Sequence, residues 1–128
     1  MKLVDRKTFL SLPEGTVFCK FPLTDKGDAS GMMYGINTPS IKGESLNNDF
    51  FYCTLGESLQ PKEANNSEEM FKCFFNMQKE LGKEVPFELV GGRDGFFDDE
   101  NVGFMIYSKE EIQEMIDELT HCLNINIR

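Results

Sequence analysis

Apolar residues recur in two different rhythms along this chain, and the order of the two rhythms limits the folds open to it. Short runs dense in Phe and β-branched residues, each bounded by Gly, Pro, Asn or Asp, occupy most of the chain up to residue 55. Two longer segments then repeat their apolar positions every three or four residues. Period two suits a half-buried strand and period 3.6 an amphipathic helix.

Asp5 stands before Arg6 to Leu12 as an N-cap for a short opening helix, and Pro13-Glu14-Gly15 supplies a turn. Thr16 to Phe21 reads as a strand with Val17, Cys19 and Phe21 on one face. Pro22 to Gly31 is polar and turn-forming, and Met32 to Ile36 reads as a second strand. Ser40 to Gly43 is a third. Asn47-Asn48 turns the chain into Asp49 to Leu55, the strongest strand signal, which is expected to have antiparallel neighbours.

Gly56 to Asn66 reads as a polar linker, and Asn66 with Glu69 resembles a capping box opening a helix over 67–81, with Gly82 as its stop. Met70, Phe71, Phe74, Met77 and Leu81 should pack one face on the sheet, while Cys73 and Phe75 widen the apolar arc toward a second surface, such as another copy in a homodimer. Val85 to Val90 is an expected strand that Pro86 confines to an edge or a strand start. Gly91 to Asn101 then reads as a loop and Val102 to Tyr107 as a strand. Ser108 and Glu111 form a capping box for a final helix to about Cys122, with an apolar stripe of Ile112, Met115, Ile116, Leu119 and Leu123. The expected fold is a single α+β domain over residues 1–128: an antiparallel or mixed sheet of about five to six strands, two main helices packed against it and a short N-terminal helix.

Charge narrows the function classes. The net charge is -9, and all of the excess lies in the second half: residues 1–62 hold seven acids and seven bases, residues 63–128 fifteen and six. Such a surface repels phosphate backbones, so direct nucleic-acid binding is not expected. No apolar run is long enough for a bilayer span, and the N-terminus has no hydrophobic leader, so the expected location is cytoplasmic. Cys19, Cys53, Cys73 and Cys122 have no metal-type spacing and read as reduced, mostly buried thiols.

Catalytic signals are weak. His121, the one histidine, sits where a cation complements the C-terminal end of a helix. No nucleophile elbow, zinc helix or phosphate-binding loop is present, and Asp94, Asp98, Asp99 and Glu100 lack the spacing of a calcium loop. No catalytic residue, metal or cofactor is assigned.

Two binding readings remain. In the first, Gly91, Gly92, Arg93, Asp94, Gly95, Phe96 and Phe97 capture a small anionic, nucleotide-like ligand: glycine amides approach it, Arg93 offers a planar donor fork and the two Phe stack on it. The competing structural reading makes this segment a plain connection, with Arg93 paired to Asp94 or Asp98. In the second, Glu110, Glu111, Glu114, Asp117 and Glu118 of the final helix present an acidic face that blocks a basic surface of another protein.

The segments Asp5 to Phe18, Asp49 to Tyr52 and Gly92 to Asp99 together resemble a family of small uncharacterised phage and prophage proteins. That resemblance carries no known activity. It implies a phage origin and, by analogy with small accessory phage proteins, an antagonist of host defence that sequesters a nucleotide signal or blocks a defence protein.

Overall fold

The structure, a computed structural model, describes residues 1–23, 38–56, 59–95 and 101–125. Its elements in chain order are β1 (Lys2–Val4), α1 (Arg6–Leu10), β2 (Val17–Pro22), β3 (Ser40–Ser45), β4 (Phe50–Thr54), β5 (Gln60–Pro61), α2 (Ser67–Lys79), β6 (Phe87–Glu88), β7 (Gly91–Arg93), β8 (Val102–Ile106) and α3 (Lys109–Ile125). Six strands form one sheet in the order β1-β8-β2-β3-β4-β7, every neighbouring pair antiparallel, and β5 and β6 form a second two-stranded sheet. The protein is therefore α+β, with three helices among the described residues, the first of them short. The expected strand at Met32 to Ile36 and the polar loop before it fall outside the described residues, apart from Pro22 and Leu23.

Local chemistry starts each helix where the sequence places it. The Asp5 carboxylate accepts from the Thr8 amide at 2.8 Å, which holds its pKa below the usual aspartate value. The Asn66 side chain accepts from the Glu69 amide at 2.9 Å, while Glu69 reaches back to the amide of Asn65 rather than Asn66. Ser108 and Glu111 complete a reciprocal box at 3.1 and 2.8 Å.

Four phenylalanines make the core. Phe9, the buried residue of α1, stacks on Phe104 with ring centroids 4.1 Å apart and meets Phe18 and Phe50 edge-on at 4.6 and 4.9 Å. Phe50 and Phe104 lie on β4 and β8, which are separated by β2 and β3, yet their centroids are 5.8 Å apart. In a flat sheet strands three positions apart would stand about 14 Å from one another. The sheet is therefore curled around Phe9, with one concave face.

Several expectations are corrected by the structure. The expected inward face of β2 was Val17, Cys19 and Phe21, but the aromatic core takes Phe18 from the other face, although Cys19 is buried as well. Gly91–Arg93, read as loop, forms the edge strand β7, in register with Phe51, Tyr52 and Cys53. Only Phe87–Glu88 of the 85–90 segment is strand, and its partner β5 lies inside the supposed linker. β1 was not foreseen.

The two long helices bury less than their periodicity suggests: no residue of α2 or α3 is fully buried. On α2, Phe74 sits 6.0 Å from Phe87 of the small sheet, whereas Phe71 and Phe75 are exposed. Of the four cysteines only Cys19 is fully buried, and Cys122 is exposed.

Candidate functional site

Strand alternation sends neighbouring residues to opposite faces of a sheet. Gly92 is in register with Tyr52 on the concave face, so Arg93 is carried to the other side and Asp94 back to the concave one. Arg93 and Asp94 consequently take different partners. The Arg93 guanidinium donates to Asp49, a carboxylate only 1% exposed. Burial opposes ionisation of Asp49, but Arg93 and the amides of Phe50 and Gly95 together hold its pKa below the usual value. The Arg93–Asp94 pair of the competing reading does not form, and Asp98 is outside the described residues.

Asp94 joins three distant parts of the chain on the concave face. Its amide donates to the Phe50 carbonyl at 3.0 Å, one carboxylate oxygen accepts from Arg6 Nη2 at 3.0 Å, and the other accepts from Lys20 Nζ. Arg6 also donates through Nη1 to the Asn48 carbonyl at 2.9 Å and lies over the rings of Phe50 and Phe104, at 5.8 and 5.5 Å. Its Nε is buried with no acceptor among the described residues. Arg6, Lys20 and Asp94 therefore carry one surplus positive charge. Lys42 adds another on the same face, its ammonium donating to Ser45 Oγ at 2.7 Å and lying over the Phe9 ring; burial lowers its pKa, with Glu14 opposing.

Beside this cluster the curled sheet encloses a cleft of about 280 Å³, lined by Phe18, Cys19, Lys20, Thr38, Ser40, Phe50, Tyr52 and Thr54. The lining follows from register. Phe18 pairs with Ser40 and Ser40 with Thr54, which places one ring and two hydroxyls in a row across three strands, the hydroxyls 3.3 Å apart. Tyr52 stands two residues from Thr54 on the same face, its hydroxyl close above Gly92, where a Cβ would lie 3.5 Å from it. The cleft thus combines aromatic walls, hydroxyl donors and one half-exposed ammonium. Its volume falls just below the roughly 300 Å³ at which ligand pockets ordinarily begin.

Of the residues singled out in the sequence, Gly91, Gly92 and Arg93 lie in β7, Asp94 is sealed in the ion cluster, and Gly95 follows in a left-handed conformation at φ 92°. Phe96, Phe97, Asp98, Asp99 and Glu100 are outside the described residues. Glu110, Glu114, Asp117 and Glu118 are exposed on α3, with Asp117 accepting from Gln113 at 2.9 Å; Glu111 is tied to the N-terminal ammonium at 2.8 Å and to Ser108. His121 is exposed in the last part of α3. Sequence reasoning missed Arg6, Lys20, Ser40, Asp49, Tyr52 and Thr54. The available signal was a lysine alternating with phenylalanine in β2, a charge on the face that also carries the core.

Among the described residues no helix is long and apolar enough to cross a membrane. No family model, curated protein or solved structure matches the chain.

Proposed function

We propose that this is a non-enzymatic binding protein that captures a small anionic, nucleotide-like ligand in the concave cleft. The observation that carries this reading is Lys20: it lines a cleft of hydroxyls and aromatic rings while its ammonium joins a cluster with surplus positive charge, in a chain whose net charge is -9. A compact ammonium suits a phosphate, Ser40, Thr54 and Tyr52 offer hydroxyl donors, and Tyr52, the half-buried ring of the lining, offers a surface for a ring. Asp94 is then an internal competitor that holds Lys20 until an external anion replaces it. The ligand site moves from the glycine-rich segment onto the sheet, with Asp94 as the link between them. With the phage resemblance, such capture amounts to sequestering a signal of the host.

Titration calorimetry with inorganic phosphate, adenosine 5′-monophosphate and adenosine tests this directly. The monophosphate is expected to bind better than phosphate, and adenosine least. Lys20→Met should weaken the monophosphate by about 10-fold or more, the value of one hydrogen bond to a charged group. Asp94→Asn, which removes the competitor, should tighten it. Binding indifferent to Lys20→Met, or no binding of any probe up to about 10 mM, beyond the weak end of specific affinities, would overturn the proposal.

A further inference from the structure

α3 lines none of the cleft, and among the described residues the part of its apolar stripe from Ile116 to Leu123 stays exposed. Ile116 is 49% exposed, Leu119 69% and Leu123 78%. An amphipathic helix of a lone domain normally turns such a stripe inward, so three large apolar side chains at helical spacing on one outer surface mark a contact face. The charges around it are one-sided. In 17 residues α3 carries Glu110, Glu111, Glu114, Asp117 and Glu118 against a single lysine, Lys109.

Geometry joins these two features. A groove runs along one edge of the stripe, lined by Tyr107, Glu111, Glu114, Met115, Glu118 and Leu119, so carboxylates stand directly beside the apolar floor. Glu111 is already engaged by the N-terminal ammonium and the Ser108 box. Glu114 and Glu118, four residues apart and both exposed, lie one helical turn from each other along the rim.

We infer that α3 is a docking face for a partner protein presenting an amphipathic segment whose apolar side chains are flanked by Lys or Arg. Leu119, Leu123 and Ile116 receive the apolar side chains, and Glu114 and Glu118 pair with the flanking cations. A second copy of this chain fits less well, because apposing two α3 helices brings ten carboxylates together with two lysines. The apolar contact supplies most of the affinity, and the rim selects charge and orientation.

The test uses two synthetic helical peptides with the same Leu pattern, one flanked by Lys and Arg and the other by Glu, titrated against the full chain by fluorescence anisotropy. The basic peptide is expected to bind at least tenfold more tightly than the acidic one. Binding should weaken but persist between low salt and about 0.5 M, where exposed charges are screened within several ångströms. Leu119→Glu with Leu123→Glu should abolish it, and Glu114→Lys with Glu118→Lys should reverse the preference; both pairs are exposed, so circular dichroism should show the fold retained. Equal binding of the two peptides, binding unaffected by the leucine variants, or sedimentation showing a homodimer that those variants dissociate would overturn the inference. Because Lys20 and Asp94 are absent from this face, loss of anion capture in the cleft leaves it standing.

Discussion

Arg6 and Asp94, 88 positions apart in the chain, meet at 3.0 Å in an ion pair whose side chains are 12% and 1% exposed. This contact ties the first helix to the end of the last-but-one strand of the curled sheet. It also leaves Asp94 a second oxygen with which to hold Lys20.

Breaking this pair from one side should be costly. Arg6→Ala leaves a buried carboxylate with only the half-exposed Lys20 as partner, and about 3–5 kcal/mol of unfolding free energy is expected to be lost. The double change Arg6→Met with Asp94→Leu removes both charges and should cost less than Arg6→Ala alone. Urea unfolding of the three proteins checks the order. Lys20→Met, at an exposed position, should change stability by no more than about 1 kcal/mol.

Phe9 is the single fully buried side chain of α1 and touches the rings of three strands. Phe9→Ala should cost about 3–5 kcal/mol, through lost transfer energy and the cavity left between those rings. That is a large share of the roughly 5–15 kcal/mol stability of a domain. A fall in the urea midpoint with an unchanged slope would show that the core, rather than the extent of folded structure, has been altered.

The exposed stripe of α3 makes an opposite prediction. Leu119→Ser and Leu123→Ser should each change unfolding free energy by no more than about 0.5 kcal/mol, as at other exposed sites. A helix seated on the sheet through these leucines would instead lose about 2–5 kcal/mol on truncation. Thermal or urea unfolding separates the two cases.

Glu111 couples stability to acid. Its hydrogen bond to the N-terminal ammonium, with those to Ser108, lowers its pKa from 4.5 to about 2. A carboxyl with a depressed folded-state pKa stabilises the protein above its unfolded pKa and loses that contribution as pH falls through the folded one. The stability difference between the parent chain and Glu111→Gln should therefore be constant between about pH 5.5 and 7 and shrink steadily as pH falls from there toward 2. Urea midpoints measured across that window provide the check, and a difference that does not change with pH would contradict the bond to the ammonium.

Helix starts and the strands densest in Phe and β-branched residues are local matters, and the sequence determined them by itself, whereas β1, β5 and β7 depend on their partners. Asp5, Asn66 and Ser108 each cap a helix because a short oxygen-bearing side chain satisfies amides only three residues away. The run from Asp49 to Leu55 is extended because its Phe, Tyr and Thr side chains suit a pleated surface. The α+β class follows from those signals in order. What only the tertiary structure decided is which faces meet. Phe18 rather than Val17 enters the aromatic core because the sheet curls toward Phe9, and curl is a property of six strands together, not of one. The same curl brings Lys20 and Tyr52 around one cleft, and pairing of Gly91–Arg93 with β4 sends Arg93 and Asp94 to opposite sides. Arg6 reads as an ordinary helix residue and Lys20 as an ordinary strand residue until their partners, 42 to 88 positions away, are known.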